Sequence, residues 1–228
     1  MTKKQAAKDK NRVILPKESL EKLVHFNSCA VVSNSHALRF YTYGQEIDSH
    51  DAVLRFNCAP THNFENFVGN RTDIRMINTL IPYRMCREEF WSKNSSIFKH
   101  GILVIRNMDG IESGRQDFGL DIRKELVRFC DTFKVCEKTK KSPSTGLFGI
   151  VMMLHLCDWV RVYELVPSNK DNTNLVYYYD ETEVRSPNDL HSYDLERTYV
   201  KALTLTPDKD IEDTGVVLLK GLSQIHCD

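Results

Sequence analysis

The chain has 228 residues, with 31 lysines and arginines matched by 31 aspartates and glutamates. That length holds one domain with a sizeable core, and a formal net charge of zero supplies no global field to draw nucleic acid or an anionic membrane. No apolar run approaches the roughly 18 to 20 residues of a membrane span, and the polar start MTKKQAAKDK has no apolar signal core.

Residues 1–12 are charged and small, with nothing to bury, and are expected to form a disordered basic arm ahead of a folded unit over 13–228. Three short apolar runs follow, Cys29 to Val32, Ala52 to Phe56 and Ile74 to Ile77, each ending at a small polar residue. Buried parallel strands read this way when each hands over to a loop or helix. Ser33, Asn34, Asn57 and Asn78 would then share one sheet edge, and ligands of open α/β sheets bind outside the carboxyl ends of the strands. Spacing alone says nucleotide or small anion.

Between the first two strands, HALRFYTYGQEIDSHD is expected to form a helix ending near Gly44 and then a turn. Asp48, His50 and Asp51 would suit acid–base work or metal binding, or a turn that fixes strand entry. Further on, Gly101 to Arg106 reads as another buried strand, Asp121 to Phe133 as an amphipathic helix, and FKVC as a short strand. Ser142 to Leu165 then reads as a turn, an apolar helix from about Gly146 to Leu156, and the strand WVRVYEL. Hydroxyls and backbone N–H groups at that helix start make an anion site, although capping alone explains one serine or threonine. Met152, Met153 and His155 are expected in the core. Tyr177, Tyr178 and Tyr179 suit an edge strand or a stacking surface. Asp189 or Ser192 would cap a helix carrying Glu196, with His191 at or before its start, where a histidine of near-neutral pKa can accept a proton. Asp208-Lys209-Asp210 is the single Asp-x-Asp of the chain and reads as a polar turn.

CAVVSN, GQEIDSHDAVLRFN-CAPT-HNF and VGNRTDIRMIN resemble the large sialylmotif of the eukaryotic sialyltransferases, glycosyltransferase family 29, with the β-galactoside α-2,6 branch most similar. SPSTGLFGIVMMLHLCDWVRVYEL resembles the small motif, the tyrosine run ending at Asp180 the third, and HSYDLERTYVKAL the very small motif, in the family's order. LPKESL, at Leu15 to Leu20, resembles a lead-in before the first strand. Four ordered motifs are far more specific than any one.

The resemblance implies one α/β/α domain with a Rossmann-like, mostly parallel sheet, the variant type A glycosyltransferase fold. It implies a metal-independent, inverting transfer of sialic acid from CMP-sialic acid to a terminal hydroxyl of a glycan. CMP-Kdo or a similar 2-keto-3-deoxy sugar would use the same cytidine contacts, and a non-catalytic glycan- or nucleotide-binding relative is the rival from another class. The implied substrate-binding set is Ser33, Asn34, Asn57, Asn78, Ser144, Thr145, Gly146 and Tyr177. His191 would be the base and Glu196 its positioning partner. No metal or other cofactor is expected. Asp48, His50 and Asp51 become a turn on this reading.

The resemblance also implies a disulfide between Cys29 and Cys157. Cys227 matches another family bridge, but no cysteine precedes Cys29 to receive it, and Cys58, Cys86, Cys130 and Cys136 match no family position. Leu80 stands where galactoside-directed members carry a polar acceptor contact. The family works in the Golgi lumen behind an N-terminal anchor and stem, neither of which is found in these 228 residues.

Overall fold

The computed structural model describes residues 18–78, 80–81, 85–98, 101–106, 143–170, 173–184 and 191–225. The strands are β1 (Phe26–Val32), β2 (Ala52–Phe56), β3 (Ile74–Asn78), β4 (Ile102–Arg106), β5 (Cys157–Tyr163), β6 (Leu175–Tyr177), β7 (Asp180–Val184) and β8 (Val216–Lys220). Six form one sheet in the order β4-β3-β2-β1-β5-β8. β1 to β5 run parallel, with Cys29 beside Ala52, Leu54 beside Ile74 and Ile74 beside Ile102, whereas β8 pairs antiparallel with β5. The three apolar runs are thus neighbouring strands, and their polar exits share one edge.

Strand alternation divides the core into two layers. Cys29, Val31, Leu54, Phe56, Ile74 and Met76 point to one face, against Leu147, Ile150 and Met153 of helix α5. The short helices α1 (Leu20–Leu23), α2 (Gly44–Asp48), α3 (Glu65–Val68) and α4 (Arg87–Trp91) precede that helix, which spans Thr145–Leu156 and is followed by α6 (Tyr193–Leu203) and α7 (Asp208–Thr214). Ala30, Val32 and Val53 fill the opposite face with Leu38, Ile47, Val68, Tyr163 and Tyr178. This is the mostly parallel, helix-flanked α/β arrangement that the strand pattern calls for.

At Gly149, α5 packs directly on β2, and a Cβ there would lie 2.5 Å from the Phe56 ring. We expect Gly149→Ala to lower stability by about 1 to 3 kcal/mol through overpacking, read from a thermal or urea melt.

Several local expectations change. The stretch after Ser33 is a 3-10 turn, His36–Phe40, and Gly44 opens α2 rather than ending a helix. The glycine answers to a long-range approach instead of a helix end, since a Cβ on Gly44 would fall 1.8 Å from the Glu65 carbonyl oxygen. Asp208 and Asp210 lie in the first turn of α7 and not in a turn, where they favour the positive end of the helix dipole. His155 is exposed on the last turn of α5, not buried in the core. The strand after α5 starts at Cys157, and the tyrosine run belongs to a separate two-stranded hairpin, β6 with β7. Asp121 to Phe133, FKVC, Asp189, Cys130, Cys136 and Cys227 lie outside the described residues.

The Asp48–Asp51 cluster reads as structure. Asp48 accepts from the N–H groups of Asn70 and Arg71, at 2.8 and 2.9 Å, and Asp51 from that of Ser28 at 2.9 Å. The acids tie the entries of β1 and β2 to the loop before β3. Cys29 and Cys157, 128 residues apart, form the disulfide that links β1 to β5, and both are buried. Cys58 pairs with Cys86 in a second bridge that no motif points to.

Candidate functional site

The carboxyl edge begins with β1. Ser33 is buried, its N–H donates to the Tyr163 carbonyl, and its hydroxyl accepts from the Ser35 N–H at 3.1 Å. Its hydroxyl therefore shapes the turn that delivers Asn34. The Asn34 carbonyl accepts from the Tyr178 N–H, and its amide nitrogen donates to the Tyr179 hydroxyl at 3.5 Å. Asn34 Oδ1 is buried with no hydrogen-bond partner among the described residues. A buried acceptor left in that state is costly unless something else meets it.

Asn57 leaves β2 with φ of 48°, a left-handed conformation that asparagine tolerates better than most residues. Its Oδ1 accepts from the Asn78 N–H at 3.2 Å, so the two asparagines are joined across adjacent strand ends. Asn78 Oδ1 in turn accepts from the Leu80 N–H at 2.9 Å. Leu80 itself is exposed.

α5 runs back from the same edge. Ser144 caps it, its hydroxyl accepting from the Leu147 N–H at 3.1 Å, and Thr145 and Gly146 form the first turn. Gly146 sits against Leu165 just beyond β5, where a Cβ would come within 2.6 Å of the leucine side chain. The helix start is thereby seated close to the strand exits, with the positive end of its dipole there.

Glu196 explains why that cap is rigid. The carboxylate is 6% exposed and accepts from both the N–H of Ser144, at 2.7 Å, and its hydroxyl. α6 thus grips the start of α5, a link between residues 52 apart in the chain. Exchange of Glu196 for glutamine puts an amide NH2 against one of these donors. We expect a loss of about 1 to 3 kcal/mol, visible as a lower melting temperature.

His191 precedes α6 by two residues, its ring edge-on to Tyr193 at 5.6 Å between centroids. Burial is the main cause that raises the Tyr177 phenol above its ordinary pKa, with the charge of Glu183, then Tyr193 and Asp180, adding to it. Tyr177 stacks on Tyr179 at 5.1 Å, and Tyr179 reaches Asn34. The stacked tyrosines of the hairpin thus reach the β1 exit at Asn34. Burial pushes the Tyr178 phenol up to about 12, and it donates to the Pro60 carbonyl, locking the hairpin beneath the edge.

The structure therefore gathers Ser33, Asn34, Asn57 and Asn78 at one edge, brings Ser144, Thr145 and Gly146 to it on α5, and places His191 just before α6, whose Glu196 holds the α5 start. Sequence reasoning overlooked Glu164, buried at the exit of β5 with φ of 56°. Its neighbour Gly215 carries its own positive φ of 64° and leaves no room for a Cβ. No signal in the local sequence marks that strain. Among the described residues, no group of three or more histidines, cysteines, aspartates or glutamates could hold a metal ion, and no helix is long and apolar enough to cross a membrane.

Amides, hydroxyls and a helix N-terminus at the carboxyl edge of a mostly parallel sheet make this an α/β protein of Rossmann-like class, whose ligands as a rule sit at that edge. A model of glycosyltransferase family 29 (sialyltransferase) matches residues 4–112 and 120–206, and the chain belongs to that family. It is 32% identical over 246 residues to β-galactoside α-2,6-sialyltransferase 1 of Homo sapiens, covering 93% of this chain and 59% of that protein. It is 30% identical over 247 residues to β-galactoside α-2,6-sialyltransferase 2 of Bos taurus, covering 95% of this chain and 49% of that one. The chain thus spans about half to three-fifths of these curated relatives. A crystal structure of a mammalian sialyltransferase superposes with a TM-score of 0.51 at 22% identity, over 87% of this chain and 78% of that one, which supports the fold.

Proposed function

We propose that the chain, acting through residues 13–228, transfers sialic acid from CMP-sialic acid to a terminal hydroxyl of a glycan, a galactoside by analogy with its relatives. The observation that carries this reading is the buried, unpartnered Asn34 Oδ1 beside the Asn57–Asn78 pair and the α5 start, within a chain that matches a sialyltransferase model. Asparagine amides offer donor and acceptor together, as ribose and phosphate require.

The donor carries a single phosphate on the anomeric carbon. As the bond from that carbon to the phosphate oxygen breaks, charge grows on CMP and the sugar becomes oxocarbenium-like. The α5 dipole with Thr145 and Gly146 would stabilise the departing phosphate, a role that needs no metal for a monophosphate. The acceptor hydroxyl attacks the opposite face and gives its proton to His191. That single displacement inverts the anomeric configuration. Ser144, held by Glu196, keeps the helix start in place, and the tyrosine hairpin offers rings on which the cytosine or ribose can stack. The family and the two disulfides favour an oxidising lumen, the Golgi, as the working compartment.

The test is CMP release by purified protein in EDTA, from CMP-sialic acid and CMP-Kdo in parallel, against a panel of galactosides. We expect acceptor-dependent release from CMP-sialic acid that EDTA leaves unchanged. Release from CMP-Kdo alone would move the assignment to another 2-keto-3-deoxy sugar, and CMP binding without turnover would indicate a non-catalytic relative.

A further inference from the structure

We infer that the Cys58–Cys86 disulfide, with Arg75 and Phe98, forms a clasp that positions Asn57 for the nucleotide; this deepens the cytidine monophosphate reading above and rests on it. Cys58 follows Asn57 directly, in the turn by which the chain leaves β2, and Cys86 stands immediately before α4. The carbonyls on either side of Cys58, those of Asn57 and Ala59, both accept from Arg75 Nη1, at 2.9 and 3.1 Å. Arg75 is 3% exposed and lies on the sheet face away from α5. Its guanidinium also sits over the Phe98 ring, 5.7 Å from the centroid. Phe98 packs edge-on against Phe90 of α4 at 5.1 Å, and α4 leads back to Cys86.

These contacts close a ring, covalent on one side and cation–aromatic on the other, around the exit of β2. Two residues in this ring, Asn57 with φ of 48° and Cys86 with φ of 28°, hold left-handed backbone without being glycine. Such conformations persist where surrounding structure over-determines them, and they gather at ligand clamps. The ring supplies that constraint. Asn57 must hold this conformation for its Oδ1 to receive the Asn78 N–H, which fixes the amide plane and turns its NH2 end to a ligand. None of the four large-scale motifs requires this bridge, so it is a device of this chain's own cysteines.

The test is CMP affinity by calorimetry, with donor KM and kcat, for the wild type, the Cys58→Ala/Cys86→Ala double variant and Phe98→Leu. The clasp predicts that CMP dissociation constant and donor KM rise together, about tenfold in the double variant and several-fold in Phe98→Leu, with kcat within about twofold. Phe98→Leu leaves both disulfides intact, so it reports on the clasp even where the double variant folds poorly. Wild-type CMP affinity in both variants overturns the clasp alone, as does a fall in kcat at unchanged KM that tracks loss of folded protein in near-ultraviolet circular dichroism. A folded wild type that binds no CMP overturns the cytidine reading and the clasp with it.

Discussion

His191→Ala is expected to lower the proposed sialic acid transfer by about 10²- to 10⁴-fold, the range supplied by a positioned general base, while CMP affinity should stay within a few-fold of wild type. The expectation follows from where His191 lies. It precedes α6, whose Glu196 fixes Ser144 at the α5 start, and its ring meets Tyr193 on the first turn of that helix. A base so placed is connected with the donor edge without being one of the groups that hold the nucleotide. Loss of its imidazole therefore acts on kcat more than on donor KM. His191→Gln, which keeps a polar side chain but accepts no proton, should resemble the alanine variant. A wild-type rate in either would remove His191 from the chemistry.

Cys29→Ala with Cys157→Ala is the largest expected loss of stability, about 5 kcal/mol in the chain-entropy model for so long a loop. For a protein of this size that corresponds to a melting temperature roughly 10 to 20 °C lower. Both cysteines are essentially inaccessible, 0% and 1% exposed, whereas Cys58 and Cys86 are half-buried. Mild reductant should therefore open the Cys58–Cys86 bridge first and leave the first bridge closed, which mass spectrometry after alkylation would show. A double alanine variant at 29 and 157 that melts within a degree or two of wild type would mean the bridge contributes nothing to the native state.

The parallel sheet was legible because its strands carry their own signals. Cys29 to Val32, Ala52 to Phe56 and Ile74 to Ile77 are apolar but for Arg55 and Arg75, near-continuous runs of the kind that strands covered on both faces carry, and each stops at a polar residue. The start of α5 was legible for the same local reason, a serine cap before an apolar run. What stayed hidden depends on contacts distant in sequence. Gly44 looks like a helix end, but it opens a helix, and it is glycine because the Glu65 carbonyl leaves no space for a Cβ. Glu196 reads as a partner of His191 by motif, and its bonds to Ser144 emerge only when α6 is laid across the start of α5. Cys58 and Cys86 become neighbours only once β2 and β3 are known to be adjacent. Both cysteines follow strand exits, a sign that could have raised the pairing but could not decide it among seven cysteines.

The measurement that bears most directly on the central claim is proton NMR of the reaction of CMP-sialic acid with a galactoside in the presence of EDTA. Transfer by single displacement should give a new sialoside whose anomeric configuration is inverted, the β-linked donor yielding an α-linked product, and no such signal with His191→Ala. A product of retained configuration, or turnover that vanishes with EDTA and returns with a divalent metal, would contradict it.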